Sequence, residues 1–222
     1  MGLTKKWDIE RTWGSHQALL KSVLKVLKPQ SAVECGCGNY STPFLREVPH
    51  LITIEHDLKW AEQMNCLNSG ENHQWWLKAF NAKNPTRINE LPEGEFEEME
   101  KYYKSCVEKI KPFDLLFVDT FTACRVPAVL SLGQLSQHII IHDMESPGPE
   151  VYEWDRLADF LSGWNKVIHK PLGHVGHGHQ IPWTGFYSTE PIPLAELNEG
   201  MKEESKRLWD DFTPLVETNL YD

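Results

Sequence analysis

The chain has 222 residues, 41% of them hydrophobic, and carries a formal net charge of −10 from 32 acidic and 22 basic side chains. That length suits one decorated domain rather than two, with enough apolar residues for a core. An acidic surface repels phosphate backbones and no Lys/Arg cluster offsets it, so no nucleic-acid partner is expected. No stretch approaches the roughly 18 consecutive apolar residues of a membrane span, so no membrane partner is expected either. Residues 1–10 lack the apolar centre of a secretory leader, and Lys6 stands where a myristoylation signal wants Ser or Thr. Five cysteines without a regular framework fit a reducing, cytoplasmic setting.

Residues 15–28 place Leu19, Leu20, Val23, Leu24 and Leu27 on one helical face, with Ser15 as the expected cap and Pro29 as the stop. Residues 32–34 read as a short buried strand entering Cys35-Gly36-Cys37-Gly38. Residues 51–55 read as a second strand, 58–67 as a helix and 74–79 as a third strand. An amphipathic helix is expected over 95–110, with Phe96, Met99, Tyr103, Val107 and Ile110 at helical spacing. Strands follow at 113–119 and 138–142, with helices over 126–136 and 151–161. Residues 166–170 and 185–189 read as two strands joined by a Gly/His loop, and 194–210 as a closing helix. Strands alternating with helices imply a parallel sheet with right-handed crossovers, and the last two strands, lacking a helix between them, imply an antiparallel pair. Ligands of such sheets bind beyond the carboxyl ends of the strands.

The loop after the first strand carries the main signal. Gly36 and Gly38, spaced as Gly-x-Gly, let the backbone turn sharply and approach a ligand closely. Glu34 stands two residues before Gly36, where an arriving pyrophosphate would be repelled and a cationic ligand favoured. Ser41 occupies the place of the third glycine of a dinucleotide fingerprint. Both features speak against a nicotinamide-dinucleotide oxidoreductase. Glu55 ends the second strand, 21 positions after Glu34 (55 − 34), where a carboxylate can accept hydrogen bonds from ribose hydroxyls.

The segments VECGCGNYSTPFL (33–45), ITIEHD (52–57), FDLLFVD (113–119) and IIIHD (139–143) resemble, in order and spacing, the successive motifs of class I S-adenosylmethionine-dependent methyltransferases. Within that family they most resemble the small-molecule O-methyltransferase-like branch. The resemblance spans about residues 15–190. It implies an α/β fold: a Rossmann-like seven-stranded, mostly parallel sheet with an antiparallel last strand and helices on both faces. It implies a single domain over 1–222, made of an arm and helix (1–30), a cofactor-binding core (31–190) and a helical extension (191–222). It implies S-adenosylmethionine held by Glu34, Gly36, Cys37, Gly38, Asn39, Ser41, Glu55, His56 and Asp119. Within that set Gly36 and Gly38 would line the methionine moiety and Glu55 would hold the ribose, with adenine near residues 78–80. A protein of the same fold that keeps the cofactor without the chemistry is the alternative.

Asp119, His142 and Asp143 follow the fourth and fifth strands and are the candidate catalytic residues. His142 or Asp119 can serve as general base toward an acceptor hydroxyl. Alternatively Asp119 and Asp143 hold a divalent ion such as Mg²⁺, as in the catechol-type relatives that this branch resembles. The expected acceptor is a small molecule. His174, His177 and His179 form a loop that reads as a polar lid or, less favoured, a metal site. Trp7, Trp13 and Trp183 are candidates for an aromatic acceptor pocket.

Overall fold

Seven short apolar runs pair into one sheet. In the computed structural model the described residues are 6–7, 13–63, 71–80, 91–144, 153–171, 174–175, 181–208 and 213–215. The strands are β1 (Ser31–Cys35), β2 (His50–Glu55), β3 (His73–Leu77), β4 (Phe113–Val118), β5 (Ser136–His142), β6 (Asn165–His169) and β7 (Thr184–Ser188). Their order is β3-β2-β1-β4-β5-β7-β6. Neighbours from β3 to β5 run parallel, and β7 is antiparallel to both β5 and β6. The helices are α1 (Gln17–Leu27), α2 (Thr42–Leu45), α3 (Leu58–Gln63), α4 (Glu95–Val107), α5 (Thr122–Leu132) and α6 (Leu194–Leu208).

Strand alternation sorts the core into two layers. Ala32, Leu115, Phe117, Ile140 and Phe186 pack with Leu19, Leu20 and Val23 of α1 and with Leu197 and Met201 of α6. Val33, Cys35, Leu116, Val118, Ile139 and Ile141 face the other way, onto Met99, Tyr103 and Cys106 of α4 and Ala123, Val126 and Val129 of α5. Glu34, His142 and the residue two past Phe117, Asp119, therefore fall on the α1 side by the same period of two. Ser22 of α1 donates to the Leu197 carbonyl at 2.7 Å, which ties α1 to α6.

Several boundaries differ from those expected. Helix α1 begins at Gln17, and Ser15 does not cap it; its hydroxyl is drawn instead to His142 and to the Pro182 carbonyl. Helix α5 begins four residues before residue 126, taking in Arg125 and carrying Pro127 inside it. The helix expected over 151–161 is, among the described residues, a short 3₁₀ turn at Trp154–Leu157 followed by turns. Residues 64–67 of the expected helix 58–67 lie outside the described residues. No helix among the described residues is long and apolar enough to cross a membrane.

The sheet reverses its order between β1 and β4, which are hydrogen-bonded neighbours. The chain leaves β1 toward β2 on one side, while β4 and β5 build the other. A crevice opens beyond the carboxyl ends at such a switch point.

Candidate functional site at the strand ends

Beyond β1, β2, β4 and β5 lies a cavity of about 590 Å³, a size typical of small-molecule sites. Gly36, Cys37, Gly38, Asn39, Ser41, Glu55, His56, Asp119, His142 and Asp143 all line it. Glu34, expected among them, does not.

Glu34 lies beneath the loop and is completely buried. Ser41 Oγ and Thr42 Oγ1 donate to its Oε1 at 2.7 and 2.9 Å, and Thr53 Oγ1 donates to its Oε2 at 2.8 Å. Thr42 Oγ1 in turn accepts the Gly38 N–H at 3.0 Å. The carboxylate thus organises the glycine loop from below rather than meeting a ligand. Hydrogen bonds to charged acceptors of this kind are the stronger class.

The loop is also held from the sides. Gly36 donates to the Ile54 carbonyl and Asp119 N–H to the Cys35 carbonyl, both at 2.9 Å. Gly36 has φ +89°, and a Cβ there would sit 2.2 Å from the Asp119 carbonyl oxygen. Only glycine permits β1 to turn this close to β4.

Glu55 accepts the Cys37 N–H at Oε2 (2.8 Å) and the His56 and Asp57 N–H groups at Oε1 (2.7 and 2.8 Å). The end of β2 is thereby latched to the glycine loop. His56 stacks obliquely on Phe121 with ring centroids 5.2 Å apart. Trp60 Nε1 donates to the Cys37 carbonyl at 2.7 Å.

The floor is a charged cluster. Arg125 donates from Nε to the Thr120 carbonyl (2.8 Å), from Nη1 to the His142 carbonyl (2.7 Å) and from Nη2 to Asp119 Oδ1 (3.0 Å). The same Nη2 lies 2.7 Å from Asp143 Oδ2. The guanidinium therefore stands between the two carboxylates expected to share a divalent ion, and the Asp119–Asp143 metal pair is replaced by an ion-paired triad with Arg125.

His142 Nδ1 lies 3.2 Å from Asp119 Oδ2 and 3.5 Å from Asp143 Oδ1. Burial pulls its pKa down, but the Asp143 and Asp119 carboxylates outweigh burial and raise it to about 8. Burial works to raise the Asp119 pKa, yet His142 and Arg125 hold it well below the usual carboxylate range. His16, just ahead of α1, completes the cluster. Burial, then repulsion from His142, push its pKa down to about 3, so it is neutral.

His16, Thr120 and Arg125 are site residues that sequence reasoning missed. Arg125 carried a weak signal, because it lies six residues past Asp119 at the start of a helix following a strand. His16 carried none, since its role depends on how α1 packs.

Other expectations fall elsewhere. Residues 78–80 do not line the cavity: Lys78 pairs with Glu98 at 2.7 Å and Phe80 packs edge-on against Tyr102. Trp13 lines it and is 54% exposed. Trp183 lies under Lys170, whose ammonium is 4.3 Å from the ring centroid. The backbone of Lys6–Trp7 pairs in parallel with His174–Val175, which brings the N-terminal arm to the Gly/His loop. His177 and His179 lie outside the described residues. Cys35 and Cys37 are both buried.

The sheet order and the crevice can be set beside solved structures. N-methyltransferase NodS from Bradyrhizobium japonicum WM9 superposes with a TM-score of 0.51 at 14% identity, covering 82% of this chain and 99% of that one. The fold is that of a class I methyltransferase. Spermidine synthase from Thermotoga maritima is similar with a TM-score of 0.48 at 14% identity, over 91% of this chain and 66% of that one. An rRNA methylase from Streptococcus thermophilus gives 0.47 at 11% identity, over 84% and 98%. No protein-family model and no curated protein matches the sequence. A shared fold at such low identity leaves function to be argued from the site.

Proposed function

We propose that the chain binds S-adenosylmethionine in this cavity and is a methyltransferase acting on a small-molecule acceptor, a hydroxyl being favoured. The observation that carries this reading is the latch between Glu55 and the Cys37 N–H. Of the roughly four acceptor sites of a carboxylate, the N–H groups of Cys37, His56 and Asp57 take three. One is left for a ligand hydroxyl, on a group already fixed in place.

Charge supports the same ligand. Glu55, Asp57, Asp119 and Asp143 line the cavity, and Arg125, the guanidinium among its lining residues, is shared between Asp119 and Asp143. A diphosphate would meet carboxylates there, whereas an ammonium and a sulfonium meet complementary charge. Bound S-adenosylmethionine supplies a methyl group already activated for displacement.

The chain's own residues then have the tasks of positioning and proton removal. The Gly36–Gly38 turn with Asn39 and Ser41 gives close backbone approach. The His56 and Phe121 rings offer flat surfaces for a base. Trp13 and Trp60, both exposed in part, form a rim that an acceptor can pack against. Asp119 and His142 on the floor are the groups able to receive an acceptor's proton, His142 only above its raised pKa of about 8.

Calorimetric titration with S-adenosylmethionine, S-adenosylhomocysteine and NAD tests the cofactor. The first two should bind and NAD should not, and Glu55→Ala should weaken binding by roughly 10-fold or more. Binding of NAD without S-adenosylmethionine would sink the reading. Release of S-adenosylhomocysteine in the presence of small hydroxyl, amine and thiol compounds tests the acceptor. Tight cofactor binding with no turnover on any of them would identify a non-catalytic binding protein.

A further inference from the structure

Three acceptor atoms on the cavity floor converge on one buried point. Nδ1 of His16, Oδ2 of Asp119 and Nδ1 of His142 belong to a group whose ligand atoms all lie within 4.8 Å of one another. Asp119 Oδ2 is 3.2 Å from His142 Nδ1 and 3.8 Å from His16 Nδ1. Ligands around one ion with bonds of about 2 Å stand roughly 3–4 Å apart, so only small movements would close the set.

The hydrogen bonds on the far sides of the rings fix what each histidine presents. His16 Nε2 faces the Tyr40 carbonyl at 3.1 Å. A carbonyl only accepts, so Nε2 carries the proton and Nδ1 of the neutral ring is a bare lone pair. Ser15 Oγ donates to the Pro182 carbonyl at 3.1 Å, so at 2.9 Å it accepts from His142 Nε2–H. His142 Nδ1 therefore also turns toward the cluster. Both Nδ1 atoms are buried; that of His16 lacks a hydrogen-bond partner among the described residues, and that of His142 has only Asp119 Oδ2, at 3.2 Å. The side chains of His16 and His142 are 2% and 4% exposed. Two imidazole nitrogens and a carboxylate oxygen gathered this closely are repulsive unless a cation, either a proton on His142 or a metal ion, sits among them.

Arg125 does not fill that role. Its Nη2 serves Asp119 Oδ1 and Asp143 Oδ2, leaving Asp119 Oδ2 for the cluster. A proton on His142 Nδ1, shared with Asp119 Oδ2 at 3.2 Å, satisfies two of the three atoms and leaves His16 Nδ1 bare, whereas a metal ion satisfies all three.

We propose that His16, Asp119 and His142 bind one divalent transition-metal ion of the zinc and cobalt class. Two imidazoles and one carboxylate suit such an ion and disfavour Mg²⁺, which prefers oxygen ligands. Tyr40 and Ser15 supply the outer hydrogen bonds that orient metal-bound histidines. All three ligands line the cavity, so the remaining coordination positions face it and would take water or an oxygen donor. The site differs from the carboxylate pair expected from sequence, because Asp143 is committed to Arg125 and His16 comes from the other end of the chain. It stands without the cofactor reading.

Cobalt(II) titration of the metal-stripped full-length chain, followed by visible absorption and equilibrium dialysis without S-adenosylmethionine, tests it. One equivalent should bind with a ligand-field spectrum showing nitrogen ligation and should be displaced by zinc(II). His16→Ala and His142→Ala should each weaken binding by at least roughly 100-fold, and Ser15→Ala by about 10-fold. A variant with His174, His177 and His179 all changed to Ala should bind as wild type. No stoichiometric cobalt(II) or zinc(II) binding by the wild-type chain would overturn the proposal, whatever the variants do. Binding that survives His16→Ala and His142→Ala but is lost in the triple variant would overturn it as well, by moving the metal to the loop.

Discussion

Arg125 Nη2 donates to Asp119 Oδ1 at 3.0 Å, reaching from helix α5 back to the residue that ends β4. The same guanidinium holds the carbonyls of Thr120 and His142. One side chain thus pins the ends of two adjacent strands and sets the floor of the cavity. Arg125→Ala leaves the half-buried Asp119 and Asp143 carboxylates and two carbonyls without this donor, and should cost about 3 kcal/mol of stability in urea unfolding. Arg125→Lys keeps the charge but cannot fork to four acceptors, so it should recover only part of that loss. A near-neutral Arg125→Ala would show that the triad is solvated.

Glu34 is predicted to act on stability first and on ligand binding second. Glu34→Ala removes the shared acceptor of Ser41, Thr42 and Thr53, at a cost of about 3 kcal/mol or more. Because Thr42 also holds the Gly38 amide, the glycine loop should loosen, and S-adenosylmethionine affinity should fall with it. Glu34→Gln should be milder, since the amide keeps one acceptor oxygen. Weakened binding with unchanged unfolding midpoint would instead return Glu34 to direct ligand contact.

The two loop glycines should separate cleanly. At Gly36 the positive φ and the 2.2 Å approach to the Asp119 carbonyl make any side chain costly. Gly36→Ala should destabilise by about 2–5 kcal/mol. At Gly38 the nearest heavy atom to an added Cβ is Ser41 Oγ at 4.0 Å, so Gly38→Ala should leave thermal unfolding of the free protein nearly unchanged. If Gly38→Ala still weakens cofactor binding, the loop approaches the ligand at that residue.

Acid should destabilise the protein partly through His73. Thr53 Oγ1 donates to Glu34, so it accepts from His73 Nε2–H at 2.9 Å. A second proton would go to Nδ1, which is buried and has no hydrogen-bond partner among the described residues. Burial, with a smaller contribution from Arg46, lowers the pKa from 6.5 to about 4. Below pH 6.5 the unfolded chain therefore binds a proton that the folded chain refuses. Stability is full above that pH and is lost as the pH falls toward 4. Melting temperatures across this window should fall less steeply for His73→Gln than for wild type, and identical slopes would remove His73 from the account.

The order of strands and helices was legible in the residues themselves, because burial on both faces makes the parallel strands read as unbroken apolar runs. So were Gly36 and Glu55, where backbone geometry and the end of a strand restrict the residue locally. Glu34 was visible as an unusual charge, but its direction was not. A strand residue faces one side or the other of the sheet, and only the hydroxyls of Ser41, Thr42 and Thr53 decide that its carboxylate turns under the loop. Arg125 and His16 depended on tertiary structure altogether. Arg125 reaches acceptors from two strands, and His16 meets His142 across 126 positions of sequence (142 − 16) only because α1 packs on the face where β4 and β5 present Asp119 and His142. Local pattern specifies which elements form and where the chain turns. Which side chains share one low-dielectric floor, and which carboxylate is neutralised by which cation, follows from packing between elements distant in the chain.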